Sequence, residues 1–244
     1  MFANPFLTVR RVERALGVTN QGARNLIRDA EERGNRTSDR CGSQLLDGYR
    51  HPPSAGCHSC AMAPRTLMFL RHAEKPADSG PPLGVDQHGQ SDPHSLSVQG
   101  WTRAGALAAL FDHVPSPERP GLAKPQRVIA TKPTHEYRSK RERDTATPTA
   151  ARLGVDVEDD FSHSDTAEAA ASILGDDRDA LVVWHHGSMP ELLKQFPLVD
   201  PAALPKAWPE DRFDLIWCLT QTSSGDYEFS TAAQDLLADD APLP

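Results

Sequence analysis

From Thr66 onward, short apolar runs alternate with longer stretches that carry apolar side chains at helical spacing. This alternation constrains the fold more than any other feature of the chain. Thr66–His72 reads as a short buried strand. Ser97 is placed to cap a helix that runs to about Phe111, with Val98, Ala104, Leu107, Ala108 and Phe111 as its apolar positions. Arg127–Thr131 is a second buried strand. Lys140–Leu153 has helical periodicity and stops at Gly154, a residue free to take the left-handed backbone that closes helices. Asp165 is placed to cap a helix to Leu174, ended by Gly175. Ala180–His185 is a third buried strand, with a helix following near Pro190–Gln195. Asp214–Thr220 and Tyr227–Ser230 are later strands joined through a glycine-containing turn at Ser223–Asp226. Buried strands alternating with helices imply βαβ units. The fold class is therefore α/β, a three-layer α/β/α sandwich with a mostly parallel sheet. Ligands of such sheets bind beyond the carboxyl ends of the strands, so the residues after the first three strands are the candidates.

Those residues share a chemistry. The first strand ends in Arg71-His72-Ala73-Glu74-Lys75-Pro76, and the third in His185-His186-Gly187. The segment after the second strand carries Arg138, Lys140, Arg141 and Arg143. Arginine presents a planar fork that matches phosphate oxygens. Neutral imidazole is a nucleophile, and an ordinary value near 6.5 leaves much of it neutral at pH 7. Phosphoryl transfer develops charge on three oxygens, so positioned cations supply most of what a catalyst must provide.

Leu70-Arg71-His72-Ala73-Glu74-Lys75-Pro76 resembles the RHAEKP form of the signature of the histidine phosphatase superfamily, the phosphoglycerate-mutase-like proteins. Leu96-Ser97-Val98-Gln99-Gly100 with Ala104, Ser139-Lys140-Arg141-Glu142-Arg143-Asp144-Thr145 and Val182-Val183-Trp184-His185-His186-Gly187 resemble three further motifs of that family, in the same order. The likeness covers about residues 64–232. It implies that His72 is the phosphorylated nucleophile and that Arg71, Arg141 and His186 hold the phosphoryl group. It implies an acid that protonates the leaving oxygen, for which Asp160 is the choice and Glu158 and Glu74 are the alternatives. Glu74 and Lys75 are expected to touch the substrate. The expected activity is metal-independent hydrolysis of a small phosphomonoester, with no cofactor. A mutase-like phosphotransferase or a non-catalytic phosphate-binding protein are the alternatives. Ala73 departs from the family, where glycine is commoner, and its methyl group is expected to crowd the phosphate. Strand alternation puts His185 and His186 on opposite faces, so only one imidazole is expected to reach the site. Arg138, Lys140 and Arg143 are read as a solvated face, and His88, His94, His113, His135 and His163 as surface histidines.

Composition narrows the alternatives. The chain has 26 basic and 34 acidic residues, a net charge of −8, which argues against wholesale binding to nucleic acid or an anionic membrane. No apolar run approaches the roughly 20 residues that span a bilayer, and no apolar signal stretch opens the chain, so a cytoplasmic protein is expected. Four cysteines are too few for a disulfide scaffold.

Residues 1–35 are basic and helix-forming. Asn4–Val9 opens a helix to about Leu16, Gly17-Val18 turns, and Thr19 caps a second helix from Asn20 to about Glu32. The stretch resembles a helix-turn-helix fragment of Fic-type proteins, which implies DNA contact through Asn20, Gln21, Arg24 and Arg28. About 35 residues are too few for an independent core, and nucleic acid is not the expected partner. A start of translation at Met62 would make this region a fused fragment. Residues 36–63 read as a disordered linker. Cys41, His51, Cys57 and Cys60 offer a zinc ligand set with only one C-x-x-C pair, so free thiols are expected there. Residues 64–240 form the expected catalytic domain.

Overall fold

The structure, a computed structural model, describes residues 64–243. The helix-turn-helix, linker and cysteine–histidine readings all lie outside these residues.

Among the described residues, eight strands and four α-helices follow in chain order. They are β1 (Thr66–Leu70), β2 (Gly84–Val85), β3 (Leu96–Ser97), α1 (Val98–His113), β4 (Arg127–Ala130), α2 (Arg141–Leu153), β5 (Val157–Glu158), α3 (Thr166–Leu174), β6 (Ala180–Val183), α4 (Met189–Leu193), β7 (Leu215–Gln221) and β8 (Tyr227–Ala233). The main sheet has the order β5-β4-β6-β1-β7-β8. β5, β4, β6 and β1 run parallel, whereas β7 pairs antiparallel with β1 and β8 with β7. The sheet is thus mixed at one end. β2 and β3 form a separate two-stranded ladder that the alternation of the sequence did not signal.

Side-chain alternation along the strands builds a core on each face. Leu67, Phe69, Ile129, Val182 and Trp217 face α3 and α4 through Ala169, Ile173, Leu192 and Leu193. Met68, Leu70, Val128, Leu181 and Ile216 face α1 and α2 through Leu107, Phe111, Ala146 and Ala150. Two apolar faces, each covered by helices, make the three-layer sandwich that the run of buried strands implied.

Local residues decide where α1, α2 and α3 begin or end. The Ser97 hydroxyl accepts the backbone N–H of Gly100 at 3.1 Å and so caps α1. A Cβ on Gly100 would stand 2.4 Å from the Glu74 carbonyl oxygen, so glycine lets α1 close directly onto the chain after β1. Gly154 ends α2 in the left-handed conformation at φ 72°. Asp165 precedes α3, yet its carboxylate accepts the Ser162 N–H at 2.8 Å and makes no cap bond to that helix.

Candidate active site

A cavity of about 610 Å³ opens at the carboxyl ends of β1, β4 and β6. β1 is central in the sheet, and the chain leaves it into Arg71 and His72, both almost wholly buried. The His72 Nδ1–H donates to the Ala73 carbonyl at 2.7 Å. A carbonyl only accepts, so this bond fixes the tautomer and leaves the Nε2 lone pair available. Burial pushes His72 down to about 3, with Arg71, Arg141 and His186 adding to the shift. The ring is therefore neutral at pH 7. Ala73 is held from both sides. Its N–H donates to the Thr145 hydroxyl at 2.9 Å, and its methyl group is buried with Leu96 and Ala104. The expectation that this Cβ crowds a phosphate is corrected, because it packs into the core beneath α1.

Arg71 lies 4.1 Å over the Phe213 ring and donates through Nη1 to the Glu210 carbonyl. Burial pulls it down to about 10, and Glu142, Asp211 and Glu210 work against that fall. It stays charged at pH 7. Arg141 opens α2 and donates through Nη2 to the Pro93 carbonyl at 3.3 Å. The His186 ring stands 6.0 Å from that of His72, edge to face. Burial lowers His186 to about 4, with Arg71 and Lys75 contributing.

The second imidazole of the pair does not turn away. β6 ends at Val183, so strand alternation stops before His185, and both His185 and His186 line the cavity with ring centroids 4.9 Å apart. His185 is also depressed to about 4, mainly by burial. It packs against Tyr137 at 5.1 Å and His163 at 5.2 Å, so His163 is a neighbour of the site and not a surface residue.

The acids divide by location. Glu74 lines the cavity, with Oε1 accepting from Arg103 Nε at 2.8 Å and Oε2 buried without a partner in the protein. Arg103 is itself buried between Glu74 and Asp240. Lys75 lines the same cavity, and its Nζ meets Asp78 at 3.3 Å. Asp160 is exposed just past the end of edge strand β5 and is not among the lining residues, which corrects its choice as the acid. Glu158 is held by Arg127 at 2.6 and 3.0 Å and does not line the cavity either. Arg138, Lys140 and Arg143 are exposed, as expected; Lys140 pairs with Asp92 and Arg143 with Asp159.

Sequence reasoning missed Tyr137, Glu210, Asp211 and Phe213, which complete the wall. They sit on connecting segments with no periodicity, so no sequence signal pointed to them. Arg103 was legible in principle, as a lone arginine on the apolar face of α1 between Ala104 and Gly100.

Buried polar atoms are nearly always paired. Five residues of this one wall break the rule: Arg71 Nε, Arg141 Nε, Glu74 Oε2, His185 Nδ1 and His186 Nδ1 have no partner in the protein. Four of the five residues present nitrogen, and two carry guanidinium charge. The arrangement suits an anion with several oxygens. Among the described residues, no group of three or more His, Cys, Asp or Glu is arranged to hold a metal ion, and no helix is long and apolar enough to cross a membrane.

No protein-family model matches the chain, and no curated protein matches it. Solved structures similar to it include the protein histidine phosphatase SixA complexed with tungstate, at 14% identity over 69% of this chain and 97% of the other, with a TM-score of 0.44. A mycobacterial glucosyl-3-phosphoglycerate phosphatase with inorganic phosphate is similar at 16% identity, 69% and 96% coverage and a TM-score of 0.44. A putative alpha-ribazole-5'-P phosphatase from Escherichia coli is similar at 11% identity, 74% and 99% coverage and a TM-score of 0.41.

Proposed function

We propose that this protein hydrolyses a phosphomonoester through a phosphohistidine formed on His72. The observation that carries the reading is the state of His72. It is buried and neutral, with Nδ1–H spent on the Ala73 carbonyl, in a cavity walled by two guanidiniums and two further imidazoles. A neutral imidazole with a free Nε2 is what an in-line attack on phosphorus needs.

In the first step Nε2 bonds to phosphorus and the ester P–O bond breaks. Arg71, Arg141 and His186 hold the three equatorial oxygens as charge develops on them. Glu74, whose Oε2 is buried in the cavity wall without a partner, gives a proton to the leaving oxygen. In the second step water attacks the phosphohistidine, its proton returns to Glu74, and phosphate leaves with His72 regenerated. The two guanidiniums supply the positive charge that a metal would otherwise bring, so a chelator should not matter. The substrate is a small molecule, since the cavity of about 610 Å³ takes a phosphoryl group and a modest leaving group.

The test is hydrolysis of an aryl phosphate with EDTA present, followed by trapping of the labelled protein in alkaline denaturant, where phosphohistidine survives. Activity that survives EDTA, together with an acid-labile phosphoryl group lost in His72→Ala, supports the reading. Phosphate binding without turnover would support a non-catalytic phosphate binder instead. Return of the label to a bound product in place of water would support a phosphotransferase.

A further inference from the structure

Glu142 is wholly buried in the first turn of α2, directly after Arg141. It does not line the cavity but lies behind the wall that Tyr137 and Arg141 form. Each of its oxygens receives a hydroxyl proton: Tyr137 donates to Oε1 at 2.7 Å and Ser139 to Oε2 at 2.9 Å. The Ser139 hydroxyl oxygen in turn accepts the Arg141 backbone N–H at 3.3 Å. Two hydroxyl donors suit the acceptor-only carboxylate form, which the neighbouring Arg141 also favours, although burial pushes the group toward protonation. The negative charge reaches Arg71 as well, where it is the largest influence opposing the effect of burial. Tyr137, held by Glu142, stands edge to face against His185.

Two guanidiniums without a counter-charge would hold inorganic phosphate, the product, as well as they hold the ester. We propose that Glu142 is a positioning residue whose buried negative charge, next to Arg141 and hydrogen-bonded to Tyr137 of the cavity wall, limits how tightly the site holds phosphate and, through Tyr137, fixes the wall on which His185 packs. This rests on the reading of the cavity as a phosphoryl site.

The experiment is calorimetric titration of inorganic phosphate, with steady-state kinetics, on the full chain as wild type, Glu142→Gln and Glu142→Asp. Glu142→Gln should bind phosphate on the order of tenfold tighter, about 1.4 kcal/mol, which is well under the effect of a unit charge in direct contact at an effective dielectric near 20, as suits a charge that does not itself line the cavity. Its KM and kcat should fall together as product release slows. Glu142→Asp, which keeps the charge, should restore the wild-type affinity. A residue that only supported the fold would loosen phosphate when altered. Unchanged or weaker phosphate binding by Glu142→Gln therefore overturns the proposal. If Glu142→Gln unfolds in plain buffer, it should refold in saturating phosphate with a larger rise in melting temperature than wild type shows; failure to do so also overturns the proposal. A wild-type protein that binds no phosphate removes the phosphoryl-site reading and this one with it.

Discussion

Two strand ends of the same mixed sheet have opposite fates. β1 lies between β6 and β7, all five of its residues are buried, and the chain leaves it into Arg71 and His72 under helix α1. β5 is a two-residue edge strand, only half-buried, and the chain leaves it into the exposed Asp160. Both ends carry residues that suit phosphoryl chemistry. Only the central one is surrounded on enough sides to strip water from those residues and set their charge states. A chemical residue type at a strand end is thus a candidate only when the strand is interior to the sheet, and interior position belongs to strand order, which is a long-range property.

The comparison breaks most sharply at the proposed nucleophile. His72→Ala should lower kcat/KM by about 10⁴-fold or more, since it removes the proposed attacking lone pair, whereas Asp160→Asn should stay within about twofold. Steady-state assays of the two variants side by side decide this. A large loss in Asp160→Asn would restore the edge strand to the site.

Arg71→Ala and Arg141→Ala should each cost about 10²–10³-fold in kcat, the scale of removing one preorganised donor from a developing oxyanion. Part of the Arg71 loss should appear as lower stability, because its guanidinium also packs on Phe213. Glu74→Gln should lower kcat by about 10²-fold with alkyl esters and much less with nitrophenyl phosphate, whose leaving group needs no proton. A uniform loss with both substrates would mean that Glu74 acts through Arg103 alone.

The smallest expected effect concerns pH and stability. The folded protein protonates His72 only near 3, while the unfolded chain takes that proton near 6.5. Between these values the unfolded state binds more protons, so the contribution of neutral His72 is complete above about pH 6.5 and declines as pH falls toward 3. His185 and His186, held near 4, act in the same direction over a narrower window. Thermal melts from about pH 7.5 down to about pH 5 should show a falling midpoint, with a shallower fall in His72→Gln. Equal slopes would mean that folding does not shift the titration of His72.

Much of this architecture was readable along the chain. The buried runs at β1, β4 and β6, the Ser97 cap and the Gly154 stop are local events, decided by burial pattern and backbone preference within a few residues. Arg71, His72, Arg141 and His186 stood at those readable boundaries, and all four line one cavity. The short elements β2, β3 and β5 were not readable, because two residues carry no period. The site lost legibility in the same way. Tyr137, Phe213 and Glu210 reach it from irregular segments, and Glu74 and Asp160 differ only in where the fold sends them.

The sequence by itself determined that parallel strands would be buried on both faces and that arginines and histidines would follow them, because apolar periodicity and helix punctuation act over short distances. The tertiary structure alone decided which groups share a dielectric environment. Strand order buried His72 and made it neutral, and the early end of β6 turned both of its histidines inward. Packing buried Glu142 against the Tyr137 and Ser139 hydroxyls, and its charge opposes the effect of burial on Arg71, far away in the chain. Charge states depend on burial and on neighbours brought together across the sheet, and neither is written at any one position.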